Sequence, residues 1–327
     1  MSIVPLFFGL LLKSQALDVQ LIRGRVQALE AGLRHGSIGV AVTDLRTGES
    51  WAYHGDSRFP MQSVFKLPLG IAVLDAVDRR EHSLDTRIMV GWQHLSVPMS
   101  VINDRFSGHA RPYSVAELLE LAVGVSDNTA ADLLLSMMGG PQKVTARLKR
   151  MGINGIRVDR FERQLQVENV GLPGFNPELT SEGGFLKALS RVPGDRAEAA
   201  MKKYLADPRD TATPNGMVDL LAGLQRGRFL SPASRERLLR IMTASTTGPN
   251  RLKAGLPKGS TLAHKTGTGR EILGICGAIN DVGIATLPGG RKLAIAVFLS
   301  GTSGTKTTRE RIIANVARAV TDSTGRI

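Results

Sequence analysis

The chain of 327 residues is 42% hydrophobic and 22% charged, an ordinary globular composition with length for one large domain or two lobes. Its 42 basic against 29 acidic residues give +13, yet the cations are scattered, at most doubled as in Arg79-Arg80, and only 5% of residues are aromatic. That distribution argues against a nucleic-acid-binding face, which needs clustered charge and stacking platforms. One cysteine, Cys276, excludes an internal disulfide, and six dispersed histidines offer no metal-ligand spacing.

In chain order, residues 3–12 form an apolar run, and Ser14-Gln15-Ala16 follows with a small-x-small cleavage pattern. Residues 1–16 therefore read as an export signal, although no positive charge precedes the run. The run is too short to span a bilayer. Leu21, Ile22, Val26, Leu29 and Leu33 recur at helical spacing, predicting a helix over 18–33 that stops at His35-Gly36. Ile38, Val40 and Val42 alternate as in a strand, Arg46-Thr47-Gly48-Glu49 turns, and 50–54 returns as a second strand. An apolar run after Ser63 predicts a helix. From there to about residue 243 the periods are helical and no strand is expected. Helices are predicted over 115–123, over 129–138 with Ser126-Asp127-Asn128 as cap and Gly139-Gly140 as stop, and from Pro141 to about 151. A Gly- and Pro-rich stretch then holds one helix over 196–205, followed by helices over 217–224 and 232–242.

Strands return over 261–265, 272–279 and 292–300, and a helix over 308–320 closes the chain. Cys276, in an apolar strand, reads as a buried structural thiol. This order predicts an α+β fold: a five-stranded antiparallel sheet flanked by the terminal helices, built from 18–60 and 215–327. An all-α lobe, 61–214, is inserted between its halves. A cleft between two lobes is where a site is expected.

Ser63 and Lys66 lie three apart where a loop gives way to a helix, so both side chains share one face of its first turn. An amine there can take the hydroxyl's proton. The pattern alone is weak, since Ser303 and Lys306 repeat it in what reads as a loop entering a helix. Ser126-Asp127-Asn128 and Lys265-Thr266-Gly267 also stand at element boundaries. Taken singly, Ser126 and Asn128 fit helix caps, and Lys265 a solvated strand residue. Together and in this order, the three motifs resemble the signature of the active-site serine penicillin-recognising enzymes.

Within that group, Arg160-Phe161-Glu162-Arg163-Gln164-Leu165 resembles the start of the Ω loop of class A β-lactamases, and Asp210-Thr211-Ala212-Thr213-Pro214 its end. Thr246 to Arg251 resembles the stretch where some members carry an arginine for the substrate carboxylate. The resemblance runs from about residue 20 to the end. It implies that Ser63 attacks the lactam carbonyl, with the backbone N–H groups of Ser63 and Thr268 as oxyanion hole. Lys66, and Glu162 through a water, are the candidate bases for acylation, and Ser126 passes a proton to the departing nitrogen. Lys265, Thr266, Gly267, Thr268 and Arg251 hold the substrate carboxylate, Asn128 the acylamido side chain. Glu162 then activates the deacylating water. An Arg160–Asp210 ion pair closes the Ω loop, 162–210. No cofactor or metal is implied; the partner is a small β-lactam, the chain a monomer, and the location periplasmic or secreted.

This sequence departs from the family pattern twice. Gln166 stands where the family usually has an asparagine that helps hold the water. The Ω loop is also far longer than usual, and a second register, through Asn176-Pro177-Glu178-Leu179-Thr180, would put Asn176 in the glutamate's place. The Glu162 register is preferred because Arg160, Phe161 and Leu165 match around it. The extra residues are expected to form a flap beside the cleft that tunes substrate range. Two alternatives stay open. A D-alanyl-D-alanine peptidase would share Ser63, Lys66 and Lys265 without needing the glutamate, and a sensor would acylate without turnover.

Overall fold

The computed structural model describes residues 16–325, so the apolar run expected as an export signal lies outside the described residues. Helix α1 (Val19–Ala31) starts where the Asp18 carboxylate accepts from the Leu21 N–H at 3.0 Å. Strands β1 (Ser37–Asp44) and β2 (Ser50–Tyr53) form the first hairpin. A 3₁₀ turn, Gln62–Phe65, opens directly into α2 (Lys66–Asp78), which is buried continuously from Lys66 to Ala76. A helix that is apolar nearly all round belongs at the centre of a lobe, and α2 lies there. Helices α3 (Asn128–Met137), α4 (Glu162–Glu168), α5 (Glu182–Leu189) and α6 (Gly194–Ala206) follow, then α7 (Pro214–Gln225) and α8 (Pro232–Thr243). Strands β3 (Thr261–Thr268), β4 (Ile275–Thr286) and β5 (Lys292–Thr302) complete the sheet before α9 (Lys306–Asp322).

The sheet runs β2-β1-β5-β4-β3, antiparallel throughout, with Glu271–Ile272 added as a sixth, two-residue strand on β4. Side chains alternate across it as the pleat requires. Ile38, Val40 and Val42 of β1 and Leu293, Ile295, Val297 and Leu299 of β5 pack with Ile22, Val26, Ile313 and Val316 of the terminal helices. Ala41, Ala294, Ala296 and Phe298 face the helical lobe and join the core around α2. Gly39 leaves room there, since a Cβ would meet the Phe59 ring at 2.3 Å.

The α+β class holds, with corrections inside it. The helical block is not free of strands: Arg87–Val90 pairs with Arg111–Ser114, and Phe59–Pro60 with Thr211–Ala212. These are two to four residues long, and Pro60 and Pro112 within them mask the pattern, proline being confined to sheet edges. Strand β3 continues through Thr268, so Lys265-Thr266-Gly267 lies inside the strand rather than after it. The segment read as one strand over 272–279 is a hairpin turning at Leu273-Gly274, with φ of +49° and +79°, followed by a strand that runs to Thr286. Asn280 and Asp281, polar residues just beyond the expected end, lie inside this strand, fully buried and hydrogen-bonded. The long Ω segment holds three helices, α4 to α6, where one was expected. They close around their own apolar cluster of Leu165, Val167, Val170, Leu179, Phe185 and Met201.

Candidate active site

Ser63 lies half-buried in the 3₁₀ turn, and Lys66, the first residue of α2, is fully buried beside it. The Lys66 ammonium is 3.2 Å from Ser63 Oγ, donates to Ser126 O at 2.7 Å and to Asn128 Oδ1 at 2.6 Å, and stands 2.9 Å from Glu162 Oε1. Three N–H bonds cannot align on four acceptors. Glu162 Oε1 is the one left with ion-pair proximity and no aligned hydrogen bond. Lysine and glutamate are both wholly removed from solvent, where an unpaired charge would be untenable, so each depends on the other.

Lys265 lies across from this pair. Its ammonium donates to Ser126 Oγ at 3.0 Å and to its neighbour's Thr266 O at 2.9 Å. Burial first, then the nearby Lys66 charge, hold its pKa well below the usual lysine range. Ser126 thus touches both lysines, one through its carbonyl and one through its hydroxyl, and does so with φ of +68°. Gln62 and Met99, also at the site, are left-handed too, at +46° and +69°. Such backbone costs about 1–3 kcal/mol per residue and persists where surrounding contacts over-determine it.

The sheet supports this geometry from below. Asn280 of β4 donates to the carbonyls of Pro60 and Met61, both at 2.9 Å, tying the segment before Ser63 to the sheet. Gly267 has to be glycine, because a Cβ would lie 2.3 Å from Met61 O. Thr266 Oγ1 donates to Thr247 Oγ1 at 2.8 Å, and Thr268 stands exposed at the strand's end. Ser63, Asn128, Gln166 and Thr268 line one cleft of about 470 Å³, together with Phe185 and Arg270.

Arg251 is not in the cleft. It is 3% exposed, with Nε on Glu310 at 3.2 Å, Nη1 on Gly267 O and Asn280 O, and Nη2 on Thr268 Oγ1 at 2.7 Å. It reaches β3 through Gly267 and Thr268. Lys306, whose pairing with Ser303 read as a loop entering a helix, is the first residue of α9 after the cap Thr305, and its side chain borders the cleft.

The Ω segment brings Glu162 in. Arg160 Nε donates to Asp210 Oδ2 at 2.6 Å, so the expected ion pair closes the loop, and Asp210 also accepts from the N–H groups of Asp159 and Arg160. Burial still holds the Asp210 carboxyl above its ordinary range despite Arg160. Asn176 is exposed and caps a separate 3₁₀ turn, away from Lys66. Gln166 donates to Glu162 Oε2 at 2.8 Å and to Gln62 Oε1 at 2.7 Å. Sequence reasoning missed Asp132, whose carboxylate accepts the N–H groups of Glu162 and Arg163 at 2.6 and 3.2 Å and so anchors the first turn of α4. It missed Asn280 and Glu310 as well. Their only signal is polarity inside apolar periods, which locates a buried polar residue without naming its partner.

Comparison with known proteins agrees with this geometry. A family profile described as "Beta-lactamase enzyme family" matches residues 22–324. Beta-lactamase VEB-1 of Pseudomonas aeruginosa is 30% identical over 288 residues, which is 87% of this chain and 84% of that protein. The crystal structure of a β-lactamase from Chitinophaga pinensis DSM 2588 superposes with a TM-score of 0.74 at 33% identity, covering 92% of this chain and 98% of that one. The last common ancestor of Gram-negative bacteria class A β-lactamase gives 0.72 at 37% identity, over 92% and 98% of the two chains. The chain belongs to the class A serine β-lactamase family.

Proposed function

We propose that this protein hydrolyses the β-lactam ring of penicillin- and cephalosporin-type antibiotics through an acyl-enzyme on Ser63, conferring resistance to them. The observation that carries the reading is the fully buried Lys66, within reach of both Ser63 Oγ and Glu162 Oε1. Lys66 first passes one proton to Glu162 Oε1, 2.9 Å away, and as a free amine takes the proton of Ser63 Oγ, which bonds to the lactam carbonyl carbon. The carbonyl electrons move to oxygen, facing the backbone N–H groups of Ser63 and Thr268. Such donors are worth about 3–4 kcal/mol each in the transition state. As the C–N bond breaks, the nitrogen takes a proton from Ser126 Oγ, which Lys265 Nζ contacts at 3.0 Å; Ser126 is restored by the proton Lys66 took from Ser63, and Lys66 then takes back the one it lent to Glu162. Lys265, Thr266 and Thr268, along β3 at Gly267, receive the substrate carboxylate. Arg251 contributes its charge through Thr268 rather than by contact, and Asn128 receives the acylamido group. Glu162, oriented by Gln166, removes a proton from the water that releases the product.

The burial of Glu162 against Lys66 favours a hydrolase over the peptidase and sensor alternatives, neither of which needs a second base there. The test is intact-protein mass spectrometry during a time course with excess penicillin, for the wild type and Glu162→Gln. The expected outcome is full substrate loss with a transient adduct in the wild type. The variant should show a stable one-to-one adduct on Ser63 and a turnover lower by about 10²–10⁴-fold. Unchanged turnover in Glu162→Gln overturns the mechanism. A stable adduct in the wild type moves the function to the peptidase or sensor.

We also place the enzyme in the periplasm or secreted, with residues 1–16 as its export signal. No helix among the described residues is long and apolar enough to cross a membrane. The Leu17 N–H already donates to Glu49 Oε2 at 2.7 Å, so cleavage after Ala16 would create an ammonium terminus facing a carboxylate. N-terminal sequencing of the exported protein is expected to begin at Leu17; full-length protein confined to the cytoplasm would refute the placement.

A further inference from the structure

We infer that Tyr204, on helix α6 of the lengthened Ω segment, is a positioning residue for the deacylating carboxylate, acting through Gln62 and Gln166. The inference rests on the β-lactamase reading above. Four side chains form one connected series. Glu162 Oε2 accepts from Gln166 Nε2 at 2.8 Å, the same nitrogen donates to Gln62 Oε1 at 2.7 Å, and Gln62 Nε2 donates to Tyr204 Oη at 2.6 Å. Gln62 is 1% exposed and Tyr204 6%, so neither amide nor phenol exchanges its partner for solvent freely.

The orientation of the series follows from its acid end. An ionised carboxylate only accepts, so Gln166 must turn its NH₂ toward Glu162. The second hydrogen of that NH₂ then meets the oxygen of Gln62, which leaves the Gln62 NH₂ facing the phenol oxygen. Tyr204 therefore holds the far end of a series whose near end is the catalytic carboxylate. The ring is itself fixed, packed in the apolar cluster of the Ω segment with Met201 and Ile272. It lies on β4 at Gly277, where a Cβ would come within 2.7 Å of it.

This arrangement links the two departures from the family pattern. Glutamine at 166 has a longer arm than asparagine, with more rotamers to lose. Here both hydrogens of its NH₂ are committed, one to Glu162 and one to Gln62. The extra length of the Ω segment supplies α6, and α6 supplies the hydroxyl that keeps Gln62 in place. Gln62 also immediately precedes the nucleophile, with left-handed backbone. Lys66 reaches Ser63 Oγ and Glu162 Oε1 without the series, which holds only Oε2, so its loss should slow deacylation far more than acylation.

The test is Tyr204→Phe, which keeps the ring and removes only the hydroxyl, with acylation and deacylation rate constants measured separately using penicillin. Deacylation is expected to fall about tenfold, as slight misplacement of a reacting group readily causes, and the acyl-enzyme should accumulate at steady state. Acylation should stay within about twofold. The same substitution made on a Gln166→Ala background should change deacylation by less than about twofold, because the series is already broken there. An unchanged deacylation rate in Tyr204→Phe overturns the inference. So does an equal tenfold loss on the Gln166→Ala background, which a merely structural role would produce. If Tyr204→Phe does not fold, as thermal melting would show, Gln62→Asn, which tolerates left-handed backbone but shortens the arm, enters the same cycle under the same criteria. Glu162→Gln run alongside separates the two readings. Retained turnover there would sink the role of Glu162 itself, whereas a trapped Glu162→Gln adduct beside an unaffected Tyr204→Phe would sink only the series.

Discussion

Lys265 shows how one side chain can be both expensive and useful. Burial and the neighbouring Lys66 charge disfavour its ammonium, and its own partners are a hydroxyl and a carbonyl, neither of them anionic. A substrate carboxylate arriving at β3 would supply the missing negative charge, so binding energy is concentrated where the site is electrostatically least satisfied. In the proposed mechanism the charged form is the one that would hold the carboxylate, and its pKa is lowered. Binding should therefore weaken as pH rises through a value below the usual lysine range, not within it. The expected outcome is an alkaline limb in kcat/KM carried mainly by KM, measured across pH with a penicillin. A limb in the ordinary lysine range would show that Lys265 is not the group responsible. Lys265 was legible in the sequence as part of a motif; its burial was not, because a lysine in a strand more often faces water.

Helix α5 is an element that the family pattern did not anticipate, and it reaches the cleft. Its Phe185 is buried, Arg270 stacks on the Phe185 ring with its guanidinium carbon 4.4 Å from the centroid, and Arg270 also pairs with Glu182 at 3.3 Å. The Ω segment is thereby joined to the loop after β3 over the mouth of the site, which gives a concrete form to the expected flap. The Glu182 side chain is 54% exposed, so the pair itself is worth about 0–1 kcal/mol. Glu182→Ala is thus expected to leave the unfolding midpoint nearly unchanged. It should lower KM for β-lactams with bulky acyl side chains more than for those with small ones. Equal KM changes across such a series would remove α5 from substrate selection. The helix itself went unread because Gly183 and Gly184 weaken its local signal; it forms on packing, through Phe185.

At the scale of the molecule, the catalytic arrangement is a junction of two cores. Asn280 makes that junction explicit. It stands in β4, donates to Pro60 O and Met61 O, and accepts from the Leu299 N–H at 3.3 Å. Removing its amide takes a partner from Pro60 O and the Leu299 N–H, at about 1–3 kcal/mol for each group left unpaired, while Met61 O keeps the Val64 N–H at 3.2 Å. Asn280→Ala is accordingly expected to lose at least about 2 kcal/mol in denaturant unfolding, and to lose activity beyond what its folded fraction explains. Full activity per folded molecule would mean that the turn bearing Ser63 holds its shape without the sheet.

The division between sequence and tertiary structure follows from the range of the interactions. Periodicity and turn chemistry are local, so the sequence determined the terminal helices, the two halves of the sheet, the helical insertion and the three motifs carrying Ser63, Lys66, Ser126, Asn128 and Lys265. The Arg160–Asp210 closure was legible too, as a resemblance between loop ends. Three things needed the fold. Arg251 lies behind β3 because Glu310, far along the chain on α9, draws it there. Asp132 and Asn280 act through backbone groups, which carry no residue-specific mark in a sequence. Tyr204 meets Gln62 only because the Ω segment closes on its own apolar cluster and sets its last helix against the sheet. In each case the contact joins residues brought near by packing, and no spacing rule along the chain can express that.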